Sequence, residues 1–448
     1  MHFTNQAAVF EVYNPFSILQ LSEVLSDFKI VIGDRTLYAG RGVVSSLVNT
    51  GIMLVCEATL VDAWNDVDIL SIVKNKDLLR GEVKRFISEW KSNNNIVPEF
   101  KVLTSDLQGF LSELSLWLKQ VEVPLAQIIS GEEEEISLDL VEKVVEPLRP
   151  VAAEFFGKLE TLAHKIPADR VAFHKAYLRR DLHPLTLCSP FVHRAFTKPL
   201  GYAGDFEMIN MVLERPYGGR TLFAKAVNRL ILEAAPAVAH RNRIEMLRKL
   251  LDQEVERARL SQRPLKVLNI GCGPAKEVRD FIASSPYADL CHMTLMDFSK
   301  EALDFAQRNA LAKKAAHHSK IQLDFVEKSI DELLRESIAA ARDKSVTKQA
   351  YDFVYCAGLF DYLTDSVCRR LIALFYEWLV PGGLLSVTNI HPANAARYFM
   401  EYLLEWNVIH RTEQELKVLG TPEGEKEVIG DPTGVNIFLN IRKPASSQ

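Results

Sequence analysis

The stretch KVLNIGCGPAKEV, Lys266 to Val278, decides the fold. Its apolar start reads as a buried strand, Gly271-Cys272-Gly273 ends that strand in a tight turn, and Lys276-Glu277-Val278 opens a helical pattern. A strand that turns through glycines into a helix brings backbone close to a ligand at the strand's carboxyl end. A dinucleotide fingerprint asks for a third glycine where this chain has Lys276, and the phosphate loop G-x-x-x-x-G-K-[ST] is absent. The pattern present is Gly271-x-Gly273-x-Ala275 followed by Glu277.

From Leu265 to Lys443, strand-like and helix-like segments alternate. LCHMTLMDFS, IQLDFVEKS, YDFVYCAG and GGLLSVTNI read as further strands, separated by helical stretches such as KEVRDFIASS, SKEALDFAQRNALAKK and DSVCRRLIALFYEWLV. That order predicts a mostly parallel sheet with helices on both faces, and GVNIFLNIRK is one more strand candidate. Upstream, Leu78 to about Leu260 carries apolar residues at helical spacing, with the acidic run Glu132 to Glu135 as a solvated loop. Before that, Phe16 to Leu70 alternates β-rich runs with turn residues at Gly33-Asp34, Gly40-Arg41-Gly42 and Asn49-Thr50-Gly51. This predicts a small antiparallel β-barrel or sandwich. The expected division is residues 1–80, 81–260 and 261–448.

The whole chain bounds these readings. Its 448 residues are 48% hydrophobic and 25% charged, as in soluble globular proteins of two or three domains. A net charge of −5 gives no support to nucleic-acid binding. The start MHFTNQAAVFEVYN lacks the basic and apolar regions of a secretory signal, and no uncharged apolar run approaches a membrane span. The six cysteines are scattered without a CxxC pair, so reduced thiols in a cytoplasmic protein are expected rather than disulfides or a metal site.

Three features extend the loop's meaning. Asp297 ends the second strand, where a carboxylate either accepts ribose hydroxyls or caps the strand end. YDFVYCAGLFDYL opens from an apolar strand into a small, polar and aromatic loop, and LVPGGLLSVTN uses Pro-Gly-Gly to stop a helix and enter the next strand. In this order, the set resembles the class I S-adenosylmethionine-dependent methyltransferases. The resemblance implies an α/β fold with a Rossmann-like seven-stranded sheet and S-adenosyl-L-methionine as cofactor. It implies that Gly271, Cys272, Gly273 and Ala275 line the cofactor and that Asp297 takes its ribose. Phe298 would flank the adenine, Ser329 and Ile330 would lie at the adenine edge, and Cys356, Ala357 and Gly358 would form the floor near the sulfonium. Glu277 either supports the loop or is a first-turn acid favoured by the helix dipole. Cys272 sits between glycines because a small side chain fits there.

A second block, Ser189 to Phe223, clusters Gly201-Tyr202-Ala203-Gly204-Asp205 in a stretch that otherwise reads as helical. It is either a helix–helix connection or a lid, in which case Tyr202 and Asp205 face the methionine end of the cofactor, with Arg194 and Lys198 nearby. With AGLFDYLTD (Ala357 to Asp365) and EWNVIHRTEQEL (Glu405 to Leu416), the block resembles the bacterial extracellular factor 3-hydroxypalmitic acid methyl ester biosynthesis family. That resemblance implies methyl transfer to the carboxylate of a 3-hydroxy fatty acid, giving a quorum-sensing ester. The N-terminal β region resembles a PilZ domain but lacks the RxxxR arm, and Ser46 to Gly51 reads SLVNTG rather than [DN]-x-S-x-x-G. Without paired arginines for phosphates, it is expected to be a scaffold or interaction domain, for a homodimer or a protein partner.

A carboxylate acceptor needs no base but needs donors to place it, and Arg194, Lys198, Tyr202, His391 and Arg397 are the candidates. A hydroxyl or amine acceptor needs a general base, for which His391 and Asp361 follow candidate strand ends; His391 also reads as a helix-entry residue before Pro392. Tyr398, Phe399, Tyr402 and Trp406 share one side of a helix, as core packing or as an acyl-chain wall. The expected partner is a small-molecule or fatty-acid substrate. The competing readings are a protein that binds the cofactor only to sense it or to scaffold, and a dinucleotide oxidoreductase.

Overall fold

A computed structural model describes residues 2–3, 6–12, 19–32, 35–49, 54–62, 76–93, 95–128, 138–214, 216–342, 350–420 and 424–445. The expected turns at Gly33-Asp34 and Thr50-Gly51 and the acidic run at 132–135 lie outside them.

Five strands open the chain: β1 (His2–Phe3), β2 (Ala7–Val12), β3 (Val24–Ile32), β4 (Arg35–Asn49) and β5 (Leu54–Leu60). They pair antiparallel in the order β1-β2-β5-β4-β3. The described residues thus form the antiparallel sheet of the expected small β-barrel or sandwich, with β1 and β3 at its edges. Gly40-Arg41-Gly42 is no turn. It lies inside β4, where a Cβ on Gly40 would collide with the Asp62 side chain and Gly42 faces the Phe28 ring. Ala8, Ile30, Tyr38 and Leu60 make a small core of their own.

Helices follow: α1 (Lys76–Asn93), α2 (Pro98–Ile128), α3 (Leu138–Ala163), α4 (Ala168–Thr186), α5 (Pro190–Thr197), α6 (Phe206–Glu214), α7 (Leu222–Ile231) and α8 (Ala235–Leu260). Then come β6 (Leu265–Ile270), α9 (Lys276–Ser284), β7 (Cys291–Asp297), α10 (Lys300–Ala316), β8 (Gln322–Glu327), α11 (Ile330–Arg342), β9 (Tyr351–Cys356) and α12 (Asp365–Glu377). The chain closes with β10 (Leu379–Ile390), α13 (Arg397–Leu403), α14 (Glu413–Val418), β11 (Glu425–Gly430) and β12 (Asn436–Arg442). None of the described helices is long and apolar enough to cross a membrane.

The second sheet runs β11-β12-β10-β9-β6-β7-β8. Its β10, β9, β6, β7 and β8 are parallel neighbours, and β12 and β11 add antiparallel at one edge. This is the expected mostly parallel, seven-stranded sheet. Strand β6 is central, and all but Lys266 of its residues are buried, as a strand covered on both faces requires. Strand β11 lies in a charged stretch whose alternation, EKEVIG, buries little. Pro381-Gly382-Gly383 does not separate helix from strand. Helix α12 ends at Glu377, and the three residues form an irregularity within β10, where the pairing with β9 shifts register between Leu379 and Leu384. Gly382 has φ +79°, and a Cβ on Gly383 would press on backbone oxygens of Val380 and Asp352.

One hydrophobic cluster spans all three regions, joining Leu21 of the turn before β3 and Val44 and Cys56 of the first sheet to Phe100, Leu118 and Leu178 of the helices and to Phe399, Tyr402 and Trp406. Two further clusters cover the faces of the parallel sheet, one built on Phe281 and Phe353, the other on Phe360 and Phe375. Fully burying such side chains stabilises by about 1.5–3 kcal/mol each. A buried arginine ties the loop after β9 to β10. Arg411 donates through Nη1 to Phe360 O and Asn389 Oδ1 and through Nη2 to Leu363 O, and pairs with Asp365 at 2.8 Å. Arg411→Met leaves these buried acceptors unpaired and is expected to cost about 3 kcal/mol, read as a lower urea midpoint by circular dichroism.

Candidate active site

The glycine loop is held by backbone and carboxylate together. Cys272 N donates to Met296 O at the end of β7, and Gly273 N donates to Asp297 Oδ2 at 2.9 Å. Ser299 N donates to Asp297 Oδ1, so Asp297 fastens both the loop and the entry to α10. Three alternate residues reach left-handed conformations around this turn: Gly271 (φ +66°), Gly273 (+50°) and Ala275 (+46°), which precedes α9. Behind the loop, Glu277 is fully buried. Its Oε1 accepts from Asn269 Nδ2 and from Tyr355 OH, both at 2.9 Å, and burial raises its carboxyl above the ordinary range.

A cavity opens over this loop at the carboxyl ends of β6, β7 and β9. Gly271, Cys272, Gly273, Pro274, Asp297, Phe298 and Ala302 line one side. Ala357, Gly358, Asp361 and Tyr362 line another, and His240, Arg243 and Leu247 of α8 a third. Its roof is the turn after α5. Lys198 (φ +47°), Gly201 (+86°) and Gly204 (+74°) fold the chain back, and Tyr202 stacks at an angle on Phe298 with ring centroids 5.1 Å apart. Gly204 is required there because a Cβ would lie 2.8 Å from Tyr362 OH. The turn before β3 also contributes. Gln20 and Leu21 reach the cavity, Leu21 N donates to Tyr362 O, and Val24 N donates to Gly201 O.

Arg243 is the cavity's unusual feature. It is 6% exposed, and its Nε and Nη1 have no partner among the described residues. Gly358 (φ +90°) makes room for it, since a Cβ there would sit 2.8 Å from Nη1. Burial lowers the guanidinium's pKa, while the nearby carboxylates of Asp361 and Glu277 oppose that effect. Asp361 accepts from Ile390 N, and burial pushes its carboxyl up to about 6 against the pull of Arg243. His240 is held neutral, pushed down to about 3 by burial and by Arg243, with Nδ1 against Pro236 O. Trp406 Nε1 donates to Tyr362 OH at 2.8 Å.

Several expected residues meet in this cavity: Gly271, Cys272, Gly273, Glu277, Asp297, Phe298, Ala357, Gly358, Tyr202 and Asp361. Others face elsewhere. The Cys356 side chain turns into the core beside α12, as alternation along β9 requires. Ala275 is wholly buried behind the loop. Ser329 caps α11 by accepting from Glu332 N, and Ile330 packs on the sheet. Asp205 caps α6 through Met208 N and pairs with Arg194 Nε at 2.8 Å. Lys198 is buried against Leu404 O, and burial brings its amine down to about 7. Arg397 pairs with Glu401. His391 Nδ1 accepts from Ala393 N, and its Nε2 lies 3.2 Å from Glu413. The stripe of Phe399, Tyr402 and Trp406 is buried in the large cluster. His240 and Arg243 were missed, although a signal existed. They fall at i and i+3 on the apolar face of α8 that continues through Leu247 and Leu251, where a basic residue needs a reason.

Residues 267–383 match the family of methyltransferase domains. Among solved structures, a possible exported protein from Bordetella parapertussis is 19% identical, over 67% of this chain and 97% of that one, with a TM-score of 0.43. Magnesium protoporphyrin IX methyltransferase from Synechocystis PCC 6803, with bound S-adenosylhomocysteine, is 13% identical over 52% and 92%, with a TM-score of 0.35. Similarity this remote says nothing about an acceptor. No curated protein sequence matches the chain. The matched segment holds the glycine loop, Asp297 and Gly358, so this chain carries a methyltransferase domain whose donor is S-adenosylmethionine.

The donor's amino-acid end carries a carboxylate, which suits two guanidinium nitrogens unpartnered among the described residues in a desolvated cavity. Each such charge-assisted bond contributes about 1.5–3 kcal/mol. Arg243→Met is therefore expected to weaken S-adenosylhomocysteine binding by about tenfold or more in calorimetric titration. Gly358→Ala, which pushes the guanidinium aside, is expected to do the same.

Proposed function

We propose that this domain methylates an oxygen of a small or lipidic acid, with the carboxylate of a molecule such as a 3-hydroxy fatty acid as acceptor. When bound, S-adenosylmethionine supplies an electrophilic methyl group on a sulfonium. The residues proposed to hold it are Gly271, Cys272 and Gly273 beside the methionine part, Asp297 at the ribose and Phe298 at the adenine. Arg243 would take the carboxylate, and Asp361 with Glu277 the α-ammonium.

The observation that carries the acceptor reading is the chemistry of the remaining wall. Leu21, Ile209, Ile390 and Trp406 are apolar, while Gln20, Tyr202, Tyr362 and His240 are neutral. Burial raises both tyrosine hydroxyls, Tyr202 and Tyr362, so they stay protonated donors. Such a wall can position an acceptor that is already nucleophilic and exclude water around it. Among the described residues it offers no exposed imidazole to take a proton, since His240 is buried. Tyr202, on the roof and against Phe298, is proposed to close the cavity over the bound donor. One observation favours a second reading. Asp361, held at about 6 within the cavity, is a group that could accept a proton from a hydroxyl acceptor.

The deciding experiment supplies tritiated S-adenosylmethionine and a panel of carboxylic acids from short hydroxy acids to long-chain 3-hydroxy acids. The expected product releases tritiated methanol in mild base, as a methyl ester does. A base-stable product moves the assignment to a hydroxyl or amine, and cofactor binding without transfer to any acceptor favours a sensor or scaffold. Asp361 also gives a pH signature. If its carboxylate faces the donor's ammonium, protonation below about pH 6 removes that partner, so affinity is expected to fall as pH drops from 7.5 to 5. Asp361→Asn should bind more weakly at pH 7.5 and lose most of this dependence in the same titration.

A further inference from the structure

Among the described residues, two helices, α1 and α2, carry exposed apolar faces. On α1, Leu79, Val83, Phe86, Ile87 and Trp90 recur at i, i+4, i+7, i+8 and i+11, which places them on one face. All five are between 43% and 64% exposed. Helix α1 packs extensively against no other element among the described residues. On α2, the inner side is fixed in the core by Phe100, Leu103 and Leu118, while Val102, Leu116, Trp117 and Val123 stand 57% to 65% exposed on the outside. Gly109 lies on that outer face and has open space in front of it. A monomer that leaves nine large apolar side chains in water on adjacent helices pays heavily in solubility.

The two faces differ in charge. Helix α1 has five basic residues against three acidic ones, a balance of +2; α2 has two against four, a balance of −2. Arg80, Lys84 and Lys91 follow one border of the α1 stripe, and Asp106 and Glu113 sit on the outer face of α2. The α1 stripe extends about 17 Å, which matches the part of the α2 face from Glu113 to Val123, about 15 Å long, and leaves Val102 beyond it. Like would repel like if α1 met a second α1 along its basic border.

We propose that two copies of this chain associate by exchange, with α1 of each lying on the outer face of α2 of the other. The arrangement is isologous and closes on itself, so it covers the α1 stripe and the facing part of α2 on both copies and leaves no edge for further growth. At about 100 Å² per half-exposed large side chain, the eight such side chains covered on each copy bury on the order of 1,600 Å², which is the size of a stable protein interface. The inference is independent of the acceptor and of the donor site.

Sedimentation velocity on the full chain tests it. The expected species has twice the 50.6 kDa of one chain. Phe86→Glu on α1 and Trp117→Glu on α2 should each raise the dissociation constant on the order of tenfold or more. Leu260→Glu, at an equally exposed position far along the chain, should leave it unchanged. Retained S-adenosylhomocysteine binding and circular dichroism report that each variant is folded. A monomeric wild-type chain overturns the proposal, as does a dimer insensitive to both substitutions. A dimer that responds to Phe86→Glu alone would mean that α1 pairs with α1. Monomers that float with vesicles of anionic phosphatidylglycerol and lose this with Phe86→Glu would mean that the stripe meets a lipid surface, which also overturns it.

Discussion

The hydrogen bond from Gly273 N to Asp297 Oδ2 is the constraint on which the site depends. It joins the turn after β6 to the end of β7, and the neighbouring bond from Cys272 N to Met296 O fixes the turn at a second point. Both are possible because β6 and β7 run parallel in continuous register from Leu265 opposite Cys291 to Ile270 opposite Met296. The loop is thus a rigid wall whose shape comes from the sheet. Asp297 stays useful to a ligand because each carboxylate oxygen keeps a second lone pair after accepting one backbone bond.

Charge burial is the second organising feature. Arg243, Glu277 and Asp361 come from α8, α9 and the loop after β9, and none of them is open to bulk water. Glu277 is satisfied by neutral donors, Asp361 by a backbone N–H, and Arg243 keeps two donors unspent. An uncompensated buried cation costs several kcal/mol. A ligand carboxylate that recovers this cost binds selectively, because a neutral analogue would leave the guanidinium unpaired.

The first sheet is part of the same body as the site. Ser22 Oγ donates to Asn407 O at 3.0 Å, Arg41 Nη2 to Thr197 O at 2.9 Å, and Arg179 pairs with buried Glu405 at 3.0 Å. These contacts bracket the roof turn from Lys198 to Asp205. They hold Gln20 and Leu21 over the cavity, so the N-terminal region shapes the space where an acceptor would sit.

Periodicity and turn chemistry made much of this legible in the sequence. The alternation from Leu265 to Lys443 implied a mostly parallel sheet because buried strands and amphipathic helices have distinct apolar spacings, and Gly271, Gly273 and Asp297 marked its ligand-binding edge. The glycines at 201 and 204 announced a turn because only a left-handed backbone needs them. Strand β11 and the course of Pro381-Gly382-Gly383 inside β10 were not legible, since pairing with a distant strand overrode local preference. Contact across the chain alone decided which polar residues turn toward the cavity. Arg194 was spent on Asp205, Lys198 on a backbone carbonyl and Arg397 on Glu401, whereas Nε and Nη1 of Arg243, far from any motif, were left without a partner among the described residues beside Gly358. Local sequence specifies backbone conformation and apolar faces. Which charges neutralise each other depends on distances between segments that only the folded chain sets.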